Sequence, residues 1–186
     1  LLTGDREEYK NLCERFMADF SRLTYALNSP SRRGYVNWDE EDGFYYDVLK
    51  RPDGGSDYLR TRSLSGLIPL LAIATFDANT VESIPALDVR SYLRELGEER
   101  GAPFDAVSHL GSRHRDRVLF SIVPPDRLRR ILTRVFDEQE FLSPYGVRSL
   151  SKVYQKNPYS YQQGDDYATI SYSPAESPVA MFGGNS

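Results

Sequence analysis

The chain has 186 residues, 40% apolar, 27% charged and 12% aromatic, with a formal net charge of −4. That length fits one ordinary domain, and an acidic balance with scattered basic residues excludes nucleic acid as the main ligand, because a phosphate-binding face needs clustered Lys and Arg. Cys13 is the one cysteine, which excludes an internal disulfide or a cysteine-based zinc site, and no apolar run approaches the ~20 residues of a membrane span.

Leu1 to Asp5 has no basic stretch leading into an apolar one, so no signal peptide is expected. The chain also opens without Met, so it need not begin where translation does. Asp5 to Leu27 predicts a long amphipathic helix. Tyr9, Leu12, Cys13, Phe16, Met17, Phe20, Leu23 and Leu27 keep the spacing of one apolar stripe, and Asp5 with Glu8 suits a capping box. Cys13 lies on that stripe and reads as a small buried hydrophobe, a role that fits a reducing, cytoplasmic setting. Ser31 to Gly34 is a basic turn. Residues 44–50 and 57–62 alternate around Pro52-Asp53-Gly54-Gly55, which predicts a two-stranded hairpin.

Leu64 to Phe76 is apolar nearly all round and predicts a helix buried on most of its surface. After a break at Asp77 to Thr80, Pro85 to Leu96 predicts a polar-faced helix. Val118 to Val123 suits a short strand, and Pro124-Pro125 stops it. Asp126 to Phe136 predicts an amphipathic helix with Leu128, Ile131, Leu132, Val135 and Phe136 on one side, and Gly146 to Tyr154 a further short helix. Asn157 to Pro174 has no helical period and reads as loop or hairpin with Asp165-Asp166 near the tip. An outward-faced helix followed by a buried one is the pattern of a helical double ring, and equally of an irregular helical bundle.

Three stretches carry chemistry. Trp38-Asp39-Glu40-Glu41-Asp42-Gly43-Phe44-Tyr45-Tyr46-Asp47 puts an indole, five carboxylates and three further rings into ten residues. Carboxylates accept bonds from hydroxyls and flat rings stack on sugar faces, as a carbohydrate cleft requires. The same pattern also suits a solvated turn with Trp38 as a core anchor, or a calcium loop using Asp39, Glu41 and Asp47, although it lacks the order of an EF-hand. The second stretch, Ser143-Pro144-Tyr145-Gly146-Val147-Arg148-Ser149-Leu150-Ser151, suits a turn leading into a helix cap. The third pairs Glu176-Ser177 with Phe182-Gly183-Gly184-Asn185-Ser186, whose glycines allow close backbone approach to a ligand. His109 and His114 are five apart, not the spacing of a helical zinc pair, and no nucleotide or hydrolase fingerprint appears. No cofactor and no metal are expected.

Together these stretches resemble the family-63 glycoside hydrolases, the processing α-glucosidase and mannosylglycerate-hydrolase-like group, and within it the bacterial and fungal cytosol-type members. The resemblance extends over roughly residues 35–186. It includes Arg62-Ser63-Leu64-Ser65-Gly66-Leu67-Ile68-Pro69-Leu70 and the run from Leu119 to Leu142. It implies a mainly α fold, part of an (α/α)6 barrel of the six-hairpin glycosidase type with a small β-hairpin. Residues 1–186 would be one partial catalytic domain truncated at both ends. It also implies inverting hydrolysis of α-glucosides or related α-linked sugars by an Asp acid and a Glu base, for which this chain has no matching positions. Trp38, Asp39, Asp42, Phe44, Tyr145, Arg148, Glu176, Phe182 and Asn185 would line the substrate, Arg148 by holding a neighbouring carboxylate. The expected partners are an oligosaccharide or small glycoside and the rest of the same polypeptide, with no nucleic acid or membrane. The alternative is a non-catalytic helical module that binds carbohydrate or protein.

Overall fold

The computed structural model describes residues 6–31, 34–83, 88, 91, 107–109 and 116–174. The chain divides into two compact units, residues 1–36 with 69–125, and residues 37–68 with 126–186.

In the first unit α1 spans Arg6–Asn28, close to the predicted helix, while its proposed cap Asp5 lies outside the described residues. Strand β5 (Ile73–Asp77) pairs antiparallel with β7 (Arg117–Ser121), and β7 pairs antiparallel with β6 (Val107–His109). The short helix α2 (Ala78–Ser83) follows β5 directly. Val118 and Phe120 form the centre, with Cys13, Met17 and Phe20 of α1 and Phe76, Ala78 and Val81 packed on them. Cys13 is thus a half-buried free thiol on the core side of α1.

The buried side of α1 is more polar than its stripe suggested. Ser21, Thr24 and Asn28 are buried, whereas Tyr9, Leu12, Phe16 and Leu23 are exposed. Ser21 and Thr24 donate to the carbonyls of Met17 and Phe20, each at 2.8 Å, so their hydroxyls can be buried at little cost. Asn28 Nδ2 donates to the carbonyls of Thr24 at 2.8 Å and Ile122 at 2.7 Å, fastening the helix end to the chain after β7.

The second unit is built from hairpins. Strand β1 (Trp38–Asp39) pairs with β2 (Phe44–Tyr45), and β3 (Asp47–Lys50) with β4 (Ser56–Leu59). Farther along, β8 (Leu142–Ser143) pairs with β9 (Gly146–Val147), and β10 (Tyr159–Gln163) with β11 (Asp166–Ile170). Helix α3 spans Pro125–Val135, and a short 3-10 helix spans Lys152–Gln155. Phe44 and Phe141 stack at 5.8 Å with planes 9° apart, and Leu150, Tyr154 and Tyr172 form a second apolar cluster. A bridge between Ser63 and Leu150, with Leu64 N–H donating to Ser149 O at 2.8 Å, ties the two halves of this unit.

The hairpins at 47–59 and 159–170 and the helix at 125–135 match the sequence expectation. The mainly α architecture does not. The described residues form five small antiparallel sheets beside a few helices, a mixed α and β chain rather than part of an (α/α)6 barrel. The expected buried helix at 64–76 shows why. Leu64–Leu71 is a 3-10 helix containing Pro69, and Ile73–Asp77 is a strand. Pro69 has no N–H and obstructs an α-helical turn, while β-branched Ile73 and Thr75 favour extended backbone. Nor is the segment buried all round, since Leu64, Ile68, Leu71 and Ile73 are exposed. Of the short helix expected at 146–154, the first residues pair as β9 and only Lys152–Gln155 is helical. The helix expected at 85–96 falls almost wholly outside the described residues.

Candidate functional site

The acidic-aromatic stretch folds as the tight β1–β2 hairpin. Asp39 Oδ1 accepts from Asp42 N–H at 2.8 Å, Gly43 N–H donates to Asp39 O at 2.9 Å, and Gly43 takes a φ of +63°. A side chain at Gly43 would be strained, and its Cβ would lie 2.6 Å from Arg130 Nε. Arginines answer the acids of this turn. Asp39 pairs with Arg60 at 2.9 Å, and Glu40 with Arg127 at 3.2 Å and Arg130 at 3.0 Å. Asp42 pairs with Arg62 at 3.5 Å and accepts from the Tyr46 hydroxyl at 2.7 Å, while its carbonyl accepts from Arg134 Nε at 2.9 Å.

Trp38 is 2% exposed and Phe44 is fully buried, so neither presents a face to a ligand. Trp38 meets the edge of Tyr45 at 4.9 Å and lies under the guanidinium groups of Arg127 and Arg130, at 4.9 and 5.3 Å. Both rings anchor the unit's interior. Among the described residues no three His, Cys, Asp or Glu side chains gather as a metal site.

The first and second sequence stretches meet at Glu140, which sequence reasoning passed over. Glu140 is buried, pairs with Arg134 at 2.7 Å and Arg62 at 3.3 Å, and accepts a close bond from the Ser151 hydroxyl. Arg62 therefore joins Asp42 of the hairpin to Glu140, which Ser151 of the second stretch also holds. The only sequence signal for Glu140 was its place beside Phe141-Leu142-Ser143. Burial, then the bond to Asp42, pushes the Tyr46 phenol far up, and burial raises Tyr154. Burial also raises Tyr45, to about 12, against the lowering effect of Arg127.

The β8–β9 turn borders an open cleft of about 430 Å³, within the range of small-molecule sites, lined by Glu138, Gln139, Ser143, Pro144, Arg148 and Lys152 among others. Tyr145 stands on the tip of the turn, 88% exposed, with its N–H donating to Ser143 Oγ at 3.2 Å. Gly146 makes the turn possible at a φ of +134°. Arg148 is 6% exposed. Its Nη1 donates to the carbonyls of Glu138 at 3.0 Å and Glu140 at 3.4 Å and makes a closer bond to Leu142 O. Its Nε donates to the Tyr172 hydroxyl at 3.3 Å. Arg148 thus secures the loop's backbone and holds no carboxylate among the described residues, a departure from its expected role. Ser151 accepts from Val153 N–H at 3.4 Å, as a cap should.

Of the nine expected contact residues, Trp38, Asp39, Asp42 and Phe44 share the hairpin, Arg148 lines the cleft, and Tyr145 stands on the turn that borders it. Glu176, Phe182 and Asn185 lie outside the described residues. Lys152 and Gln139, cleft-lining and missed by the sequence reading, carried no motif that would have singled them out.

No family model and no solved structure matches the chain. It is similar to the uncharacterized protein YMR196W of Saccharomyces cerevisiae, 38% identical over 151 residues. That match takes in 80% of this chain and 14% of the yeast protein, so the chain spans well under a quarter of that relative. The relative brings no activity with it, and it supports neither the barrel nor the glycosidase reading. No helix of the described residues is long and apolar enough to cross a membrane.

Proposed function

We propose that this chain supplies part of the substrate cleft of an inverting glycoside hydrolase acting on α-linked sugars, without supplying its acid and base. The observation that carries this proposal is Tyr145, an almost fully exposed ring on the β8–β9 turn, whose neighbours Ser143 and Pro144 line a cleft of about 430 Å³. An exposed tyrosine beside hydroxyl, amide and carboxylate groups offers a stacking face together with donors and acceptors, the requirements of a pyranose site. The proposal needs no helical double ring. A cytoplasmic location accompanies it, since Cys13 is a free thiol and the one cysteine.

A second reading also has an observation behind it. Asp39, Asp42 and Glu140 are each paired with arginine, so none is placed as a free general acid or base, which suits a module that binds sugar without cleaving it. The experiment that separates the two is an anomeric NMR time course on the complete protein carrying this chain, with α-linked disaccharides as substrates. The hydrolase reading predicts product released first as the inverted anomer. Binding without release would favour the module, and neither binding nor release would overturn both.

A further inference from the structure

Arg148 is charged, more than nine-tenths buried, and without a counterion among the described residues. Its hydrogen bonds engage Nε and Nη1 with three carbonyls and a phenol, and the guanidinium lies 6.0 Å from the Tyr172 ring. Nη2 takes part in none of them. Carbonyl dipoles and an aromatic ring offset part of the cost of burying a cation, but a paired anion is the usual solution. Arg148 lines the 430 Å³ cleft, and so does Lys152, also without an ion-pair partner among the described residues. Among the described residues Glu138 is the one carboxylate side chain of the lining, so two cations face one acid there. Every other buried or half-buried arginine of the same network has found a carboxylate, with Arg62 and Arg134 on Glu140 and Arg127 on Glu40.

The geometry points to an anion subsite in this cleft, in which Arg148 Nη2 and Lys152 Nζ receive a compact oxyanion, carboxylate or phosphate, carried by the ligand. Gln139 and Ser143 supply neutral polar groups beside it, and Tyr145 remains free to stack on an attached ring. A guanidinium held rigid by three carbonyls is preorganised for such an oxyanion, and a charge-assisted bond there outweighs a neutral one. The assignment of a sugar as carrier rests on the proposed function; the oxyanion subsite itself does not.

The test is calorimetric titration of the complete protein with inorganic phosphate, acetate, glucose, glucose 6-phosphate and glucuronate. The subsite predicts that at least one charged sugar binds about tenfold more tightly than glucose, with an advantage that shrinks as salt rises. Glucose 6-phosphate against glucuronate, and phosphate against acetate, distinguish the two oxyanions. Lys152→Ala, on a half-buried side chain outside the loop-holding network, should remove most of that advantage while leaving the thermal midpoint unchanged. Arg148→Lys should also reduce it. Equal binding of charged and neutral sugars by the wild type would overturn the subsite and leave sugar binding standing. Phosphate or acetate binding that Lys152→Ala weakens, with no sugar bound, would uphold the subsite and overturn the sugar reading. An advantage untouched by Lys152→Ala would overturn the assignment to this cleft.

Discussion

At the scale of single residues, the side chains most prominent in the sequence are structural, and a quieter set surrounds the open cleft. Trp38 was legible as either sugar platform or core anchor, and its 2% exposure places it in the core. The ambiguity is physical, because an indole suits a dry core and a sugar face equally and only its neighbours decide. Arg127 and Arg130 decide it here by covering the ring. Glu140 is the reverse case, since nothing in its local sequence announces a carboxylate buried between Arg62 and Arg134. Replacing it with Gln would leave two guanidinium groups against a neutral amide, and removing one member of a buried ion network costs about 3–5 kcal/mol. Denaturant unfolding of Glu140→Gln should therefore show a loss of that order, whereas a loss below about 1 kcal/mol would mean that the network is solvated. Tyr145→Ala should leave stability within about 0.5 kcal/mol, as an exposed substitution does.

At the scale of elements, short hairpins and the helices α1 and α3 were readable because turn residues and periodicity agree there. Pro52-Asp53-Gly54-Gly55 lies between β3 and β4, and Gly164 with Asp165 turns β10 into β11. The segment from Leu64 to Asp77 was misread because uniform apolarity does not distinguish a buried helix from a 3-10 turn followed by a strand. Gly66 marks the tightest approach in it. A Cβ at that position would run into the Phe44 ring and lie 2.5 Å from Tyr45 O. Gly66→Ala should therefore displace the hairpin core and cost about 1–3 kcal/mol, measurable as a lowered thermal midpoint. An unchanged midpoint would show that the Phe44 ring moves aside freely.

At the scale of the molecule, the second unit carries a cluster of buried phenols that sets its response to alkali. Tyr45 shifts from an ordinary value of 10.0 to about 12, and Tyr46 and Tyr154 also shift upward. Below pH 10 these phenols are neutral in both folded and unfolded chain, and the fold keeps its full stability. Above it the unfolded chain releases protons that the folded chain retains, so stability falls as pH rises through the folded values. The share of the phenolate absorbance that belongs to Tyr45, Tyr46 and Tyr154 should accordingly appear together with unfolding rather than before it. Early ionisation of all thirteen tyrosines in a chain that remains folded would contradict the burial. The fold class was the least legible feature at this scale. Helix-like periods in short windows do not report whether neighbouring segments pair as strands, and the described residues form five small sheets where a ring of helices was expected.

The most direct measurement is calorimetric titration of a neutral α-linked disaccharide into the complete protein, wild type and Tyr145→Ala side by side. A sugar cleft at the β8–β9 turn predicts saturable binding by the wild type. It also predicts about tenfold weaker binding by the variant, the loss of one aromatic stacking contact, at an unchanged thermal midpoint. Equal affinity in the two proteins, or no binding in either, would contradict it.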